Sequence, residues 1–153
     1  MNMRLMDDKI DLWQLFCRMR QMISKTFRTK NIEGDFAEEL MNDFYGGTLA
    51  TPSTKGYDFI TNDGKKYQVK SRVATSPKNR VIGNFSDIRS WDFDFLIVVL
   101  FGKNGDIQLA KEIDRDTAKS LANTERGVIS ASSIRKPDIG KDITQEVKSK
   151  YNL

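Results

Sequence analysis

Hydrophobic positions recur every three or four residues in two stretches near the start of the chain, which predicts two helices. The first is expected over residues 7–27, with an apolar stripe broad enough to be core or a dimer contact. The second is expected over residues 34–45, where Gly46-Gly47 ends it, because glycine readily adopts the left-handed conformation that closes a helix. The stripe of the first helix comprises Ile10, Trp13, Leu15, Phe16, Met19, Met22, Ile23 and Phe27.

Further along, a nearly continuous apolar run over residues 94–101 predicts a central strand, because a strand covered on both faces has few polar positions. A hairpin precedes this strand and a second strand follows it, so the pattern indicates an α/β (α+β) protein with a mixed sheet flanked by helices. The 153 residues suffice for a single domain spanning 1–153 and are too few for two. The remaining expected elements are a strand over 106–113, a helix over 114–121 capped by Asp114, a strand or edge over 127–134 and a helix over 142–151.

The hairpin over residues 56–71 brings three polar side chains together. Its turn, residues 62–64, has glycine last, as a type I turn closed by a left-handed glycine requires. That register places Asp58 opposite Gln68, and Lys70 lies two residues further on the same face. A two-residue turn would instead pair Asp58 with Val69 and separate Asp58 from Gln68 and Lys70. The prediction therefore depends on the turn type.

An acid, an amide and a lysine at one strand end suit metal-dependent hydrolysis of a phosphodiester. Mg²⁺ prefers oxygen ligands, which Asp58 supplies as a carboxylate and Gln68 as a side-chain carbonyl. A neighbouring lysine such as Lys70 can hold the attacking water and stabilise the charge that develops on phosphorus. The alternative is a surface hairpin with an incidental acid and lysine, since lysine-rich hairpins are common at sheet edges.

Three segments together carry a family resemblance: Gly34-Asp35-Phe36-Ala37-Glu38, Gly56-Tyr57-Asp58 and Gln68-Val69-Lys70-Ser71. They resemble the PD-(D/E)xK nuclease superfamily, which includes many restriction endonucleases and Holliday junction resolvases, with weaker agreement near residues 95–101. The resemblance implies a three-layer restriction-endonuclease-like core. It departs from the family pattern at one position, where a neutral glutamine replaces the usual second acid.

The same resemblance implies roles for individual residues. Asp58 corresponds to the first motif acid, Lys70 to the catalytic lysine, and Glu38 to the helix-borne acid that completes the metal site. Gln68 stands where Asp or Glu is usual and is a weaker ligand. The expected cofactor is Mg²⁺, with Mn²⁺ able to substitute, bound by Asp58, Glu38, the Gln68 side chain and the main-chain carbonyl of Val69.

Composition narrows the chemistry further. The chain has no histidine, which excludes Ser-His-Asp hydrolysis, Cys-His proteases and histidine-ligated zinc. Its one cysteine, Cys17, excludes a disulfide framework and any multi-cysteine zinc site. The longest apolar run is too short to span a membrane and the first residues lack a secretory pattern, so we expect a cytoplasmic protein.

Charge is segregated along the chain in a way that indicates a DNA partner. Residues 31–64 contain seven acids and one lysine, whereas residues 65–80 contain six basic residues and no acid. An acidic metal site bordered by basic residues suits a phosphate backbone. The candidate DNA contacts are Arg72 and the residues Lys78, Asn79 and Arg80 of a recognition loop over 74–84; five further basic residues, Arg18, Arg20, Lys25, Arg28 and Lys30, could reach phosphates.

The sequence therefore predicts a Mg²⁺-dependent DNA endonuclease that leaves 5′-phosphate and 3′-hydroxyl ends. A restriction-type enzyme ranks ahead of a resolvase or repair nuclease, because a small chain with one site would cut both strands most simply as a homodimer. The N-terminal segment 1–30 is a candidate for dimerisation or DNA contact. Two alternatives stay open: a DNA-binding module that has lost catalysis at Gln68, and an interaction protein that uses the helix containing Trp13.

Overall fold

A mixed β-sheet lies at the centre of the fold in the computed structural model, which describes residues 3–29, 31–54, 56–74, 81–84, 91–123 and 128–153. The helices are α1 (Met3–Thr26), α2 (Ile32–Tyr45), α3 (Arg115–Leu121), α4 (Ala131–Ile134) and α5 (Thr144–Tyr151). The strands are β1 (Thr48–Leu49), β2 (Phe59–Ile60), β3 (Lys66–Ala74), β4 (Val81–Asn84), β5 (Phe95–Gly102), β6 (Ile107–Asp114), β7 (Val128–Ser130) and β8 (Lys141–Asp142). Within these residues, six strands pair in the order β1-β2-β3-β5-β6-β8, while β4 pairs with β7.

The apolar run that predicted a central strand forms β5, one residue later than expected. Every residue from Leu96 to Gly102 is buried. β5 pairs in parallel with β3 and antiparallel with β6, which makes the sheet mixed as predicted. The parallel pairing with β3 matters for function, because it anchors the strand that carries Gln68 and Lys70 to the most buried strand of the protein.

Helices cover both faces of the sheet, so the predicted three-layer arrangement is confirmed. One core lies between the sheet and helices α2 and α5; it includes Met41, Phe59 and Val147. The other lies against α3 and α4 and includes Leu96 and Ile134. Successive residues of β5 alternate between the two cores, as the two-residue period of a strand requires.

Most of the predicted elements appear in the predicted order, and the differences have local causes. The segment 127–134 was expected to be a strand or edge, but in its described part, 128–134, a strand covers Val128–Ser130 and α4 follows it. The Ser130 hydroxyl accepts a hydrogen bond from the Ser133 backbone N–H at 3.2 Å and starts α4. The expected recognition loop 74–84 contains the short strand β4, and the two-residue β1 lies between α2 and the hairpin; both strands are too short to show a periodicity.

The apolar stripe of α1 was interpreted as core or a dimer contact, and the structure corrects the first of these. The stripe is not core: Met22 is 68% exposed, Trp13 61% and Phe16 50%. The dimer contact stays a prediction. In the part of the chain that is described, no helix has both the length and the apolarity needed to cross a lipid bilayer.

Candidate functional site

The hairpin that brings the polar residues together has the predicted register. Phe59 pairs with Tyr67, and the Thr61 N–H donates to the Lys65 carbonyl at 2.9 Å. Gly64 has φ +82°, the left-handed conformation that closes a three-residue turn. The two-residue turn is therefore wrong, and the Asp58 carboxylate meets the Gln68 side chain at the end of the paired region.

Asp58 is held by backbone bonds on both sides. Its N–H donates to the Tyr67 carbonyl at 2.7 Å, and its carbonyl accepts from the Ala50 N–H at 2.8 Å. One carboxylate oxygen, Oδ2, accepts from the Val69 N–H at 2.7 Å and from the Gln68 Nε2 at 2.5 Å. The carboxylate is thus fixed in position by the strand that carries the candidate lysine.

Gln68 is 5% exposed and acts as a hydrogen-bond donor to the acid. Its Nε2 also lies 3.4 Å from the Val69 carbonyl oxygen. With the amide nitrogen turned toward Asp58, a metal ligand at this position would have to be the other end of the amide, Oε1. A neutral donor also stabilises the ionised form of Asp58, which a second carboxylate would not do.

Glu38 reaches the site from α2, whose first turn is fixed by polar contacts to the preceding segment. The Asn31 side chain caps the helix, accepting from the Gly34 N–H at 3.2 Å. Asp35 is 3% exposed and accepts from the Thr29 N–H at 2.5 Å and from its hydroxyl at 2.9 Å. These bonds fix the start of α2, and Glu38 follows Asp35 by three residues, which places it on the same side of the helix.

Arg28 is a member of the site that sequence reasoning did not single out. Its Nη2 lies 3.0 Å from Glu38 Oε2, and its Nη1 donates to the Ala50 carbonyl at 3.2 Å. The same stretch of chain that bonds to Asp58 through Ala50 therefore also holds Arg28. The only sequence signal was its membership of the basic group after the first helix.

The two carboxylates and Lys70 interact electrostatically. Burial raises the pKa of Glu38 to about 7, with a further upward contribution from Asp58; Arg28 and Lys70 act in the opposite direction. Burial also raises the pKa of Asp58, while the Val69 N–H, Lys70 and Arg28 lower it. Because burial disfavours ionisation of both acids and the charge of Asp58 further disfavours that of Glu38, the site would gain from binding a cation.

A cleft of about 200 Å³ opens beside these groups. Both carboxylates line it, whereas Gln68 and Lys70 do not. The polar walls suit an ionic ligand better than an apolar one. The lining residues are Arg28, Thr29, Asn31, Asp35, Glu38, Ala50, Thr51, Pro52, Thr54, Tyr57 and Asp58.

The oxygen atoms available at this site suit a hard cation, but few of them are charged. Glu38 and Asp58 supply carboxylates, Gln68 an amide oxygen and Val69 a main-chain carbonyl, all oxygen ligands of the kind that Mg²⁺ takes. Among the described residues, no group of three or more acidic, cysteine or histidine side chains is arranged to hold a metal. Any cation here would rely on two acids, with water completing its coordination, which is usual for Mg²⁺.

The expected DNA contacts are only partly described. Arg72 is exposed on β3, two residues beyond Lys70, so it is accessible to a ligand. Lys78, Asn79 and Arg80 lie outside the described residues. The recognition loop therefore stays a prediction, apart from Ala74, which ends β3, and its last four residues, which form β4.

Glu38→Gln is expected to remove a pH dependence of stability in the absence of divalent ions. The pKa of Glu38 rises from 4.5 to about 7 in the folded protein, so the folded state binds the extra proton between these values. The stability that this proton contributes to the wild type should therefore be fully present below about pH 4.5 and be lost as the pH rises to about 7. The expected loss is about 1 kcal/mol, since partial exposure screens the site.

Urea unfolding in EDTA at pH 4.5 and pH 8 measures this effect. The glutamine variant, which resembles the protonated acid, should match the wild type at the lower pH and exceed it at the higher. Glu39→Gln, one residue along the same helix, serves as the control. Equal pH dependence in wild type and Glu38→Gln would show that burial of Glu38 has no such consequence.

Comparison of the sequence with protein-family models and with curated proteins gives no match. Among solved structures, the chain is similar to a bacterial homing endonuclease, I-Ssp6803I, at 20% sequence identity and a TM-score of 0.46. The similarity covers 81% of this chain and 97% of that one. It is too loose to transfer the roles of individual residues.

Proposed function

We propose that this chain is a divalent-metal-dependent DNA endonuclease, most simply one of the restriction type. The observation that carries the proposal is the pairing of Asp58 and Glu38 at a polar cleft, where burial and the charge of Asp58 raise the pKa of Glu38 to about 7. Asp58 is held rigidly by Gln68 and Val69, as a ligand must be if it is to position a reacting group. Lys70, whose charge acts on both acids, completes the set.

In this proposal Asp58 and Glu38 bind Mg²⁺ or Mn²⁺, with the Gln68 Oε1 and the Val69 carbonyl as weaker ligands. The bound ion supplies Lewis-acid activation of the scissile phosphate and of water. Lys70 holds the attacking water and stabilises negative charge that develops during the reaction. Arg28, already at the cleft wall, offers a guanidinium to a DNA phosphate once the charge on Glu38 is shared with a cation.

DNA is the proposed substrate because the basic residues follow the active-site strand. Arg72 extends the line of β3 beyond Lys70, and the loop with Lys78, Asn79 and Arg80 continues it in sequence. A homodimer would bring two such sites to one duplex and allow both strands to be cut.

A second candidate function is a DNA-binding module that does not cut. The observation that favours it is Gln68, which supplies a neutral amide where a third acid would strengthen metal binding and which donates to Asp58 instead. This candidate predicts DNA binding that weakens with salt and does not respond to Mg²⁺.

The test is incubation of the purified chain with supercoiled and linear DNA in Mg²⁺, Mn²⁺, Ca²⁺ or EDTA. Cutting in Mg²⁺ or Mn²⁺, and none in EDTA, is the expected result, with discrete fragments indicating sequence specificity. DNA binding without cutting in any ion would support the binding module. Neither cutting nor binding at moderate salt would overturn both.

A further inference from the structure

We propose that α1 is a self-association helix that pairs antiparallel with α1 of a second copy of this chain. The inference does not depend on the nuclease function. From Met6 to Met22, each of eight large apolar side chains of α1 is at least 42% exposed. A monomer rarely leaves an apolar surface of this extent in water.

The exposed area is the size that a stable dimer needs. At about half exposure, the five side chains on one side of the helix present on the order of 500 Å², close to the apolar share of the roughly 800 Å² that each partner contributes to a standard interface. The helix has 24 residues, so it is roughly 36 Å long, enough for several turns of contact.

Five of the eight exposed apolar residues lie on one side of α1, in an arc that also contains Asp8 toward the start of the helix. At 100° per residue, Leu12, Leu15, Phe16, Met19 and Met22 fall within an arc of about 120°, wide enough for a helix–helix seam. Met6, Ile10 and Trp13 lie outside that arc, and Trp13 contacts Phe16 with ring centroids 5.9 Å apart. We assign the five-residue arc as the seam.

Charge along the edge of the seam decides the direction of pairing. Asp7, Asp11, Arg18 and Lys25 all fall within an arc of about 40° beside it, with the acids in the first half of the helix and the bases in the second. In an antiparallel pair this edge faces the same edge of the other copy, reversed end to end. If the twofold axis passes near Leu15, each acidic half therefore meets a basic half, with Asp11 level with Arg18 and Asp7 close to Lys25.

The opposite edge of the seam carries Lys9 and Arg20, which an antiparallel pair would bring to the same level across the two copies. Arg20 lies over the Phe16 ring of its own helix, 5.7 Å from its centroid. This edge therefore repels weakly where the first edge attracts. In a parallel pair the two different edges would meet, so that Arg18 would be near Arg20, and Asp7 and Asp11 would share Lys9 in place of Arg18 and Lys25. The antiparallel direction is favoured, and Lys9 becomes a site where a change should tighten the pair.

Sedimentation equilibrium of the full chain, in reducing buffer without DNA or divalent ions, tests the association. A dimer at tens of micromolar is expected. Leu15→Glu with Met19→Glu should weaken it by about 100-fold or more, since both changes place charge in the seam. Gln21→Glu, on the far side of the helix, should change nothing. A wild-type monomer at these concentrations would overturn the proposal.

Charge exchange tests the direction. Asp11→Arg alone should weaken the dimer by about tenfold, and Asp11→Arg with Arg18→Asp should return it to within about threefold of the wild type. Lys9→Glu should tighten it, because it then faces Arg20 of the other copy. A double variant as weak as Asp11→Arg would overturn the antiparallel arrangement. These experiments measure association and not DNA cleavage, so a failure of this proposal can be distinguished from a failure of the nuclease proposal.

Discussion

Lys70→Met is expected to reduce metal-dependent DNA cleavage by about 10²–10⁴-fold, the range typical of losing a group that acts on the transferring proton or on the developing charge. Methionine keeps the length of the side chain and removes the charge, so packing on β3 is little changed. Asp58→Asn should have an effect at least as large, since it keeps the bonds to Val69 and Gln68 possible while removing one of two charged ligands. Plasmid cleavage at saturating Mg²⁺, followed over time, measures both.

Lys65→Met is the matched control, because Lys65 is exposed directly after the turn of the same hairpin, outside the cleft. It should cut at the wild-type rate. Melting temperatures of all three variants show whether a loss of cutting reflects unfolding. Cleavage that survives in both Lys70→Met and Asp58→Asn would remove this site from the reaction and direct attention to a contaminating nuclease or to another surface.

The register of the hairpin could be predicted because one residue determines it. Gly64 occupies the left-handed position of a three-residue turn without strain, and that sets the register that brings the Asp58 carboxylate to the Gln68 side chain. The strand β5 was equally clear, since an apolar run of that length has few other uses in a chain of this size. The cap at Asp114 was predicted for the same kind of local reason: its carboxylate accepts from the Thr117 N–H.

Other features could not be predicted, because they depend on contacts between segments distant in sequence. The position of Arg28 follows from the bend after α1 and from the Ala50 carbonyl, 22 residues away, which no local pattern encodes. The strands β1 and β8 are two residues long, shorter than any period that could reveal them. The apolar stripe of α1 showed that the helix has a surface to cover, but periodicity does not say which partner covers it.

Gln68→Glu is expected to make the stability of the protein depend on a divalent cation. The Gln68 Nε2 lies 2.5 Å from Asp58 Oδ2, so the substitution places a second carboxylate oxygen where a donor now stands. Two such oxygens at that separation cannot both be ionised without a proton or a cation between them. In EDTA at pH 8 the unfolding free energy should fall by about 3 kcal/mol, because Gln68 is buried and the added charge has no partner there.

Adding Mg²⁺ should reverse this loss and raise the melting temperature of Gln68→Glu more than that of the wild type. Gln68→Met separates the two effects, since it removes the hydrogen bond to Asp58 without adding charge; it should be destabilised with or without Mg²⁺. A Gln68→Glu variant as stable as the wild type in EDTA, and indifferent to Mg²⁺, would show that no cation binds beside Asp58.

The same variant distinguishes a working nuclease from a lapsed one. If the wild type cuts DNA, a third acid should lower the Mg²⁺ concentration needed for half-maximal cleavage, by about tenfold or more for a strengthened ligand set. If the wild type only binds DNA and Gln68→Glu cuts it, the wild type lacks cleavage activity because of Gln68. Cation-dependent stability without cutting in either protein would mean that Asp58 and Glu38 bind metal for a structural purpose, with Lys70 as a neighbouring surface charge.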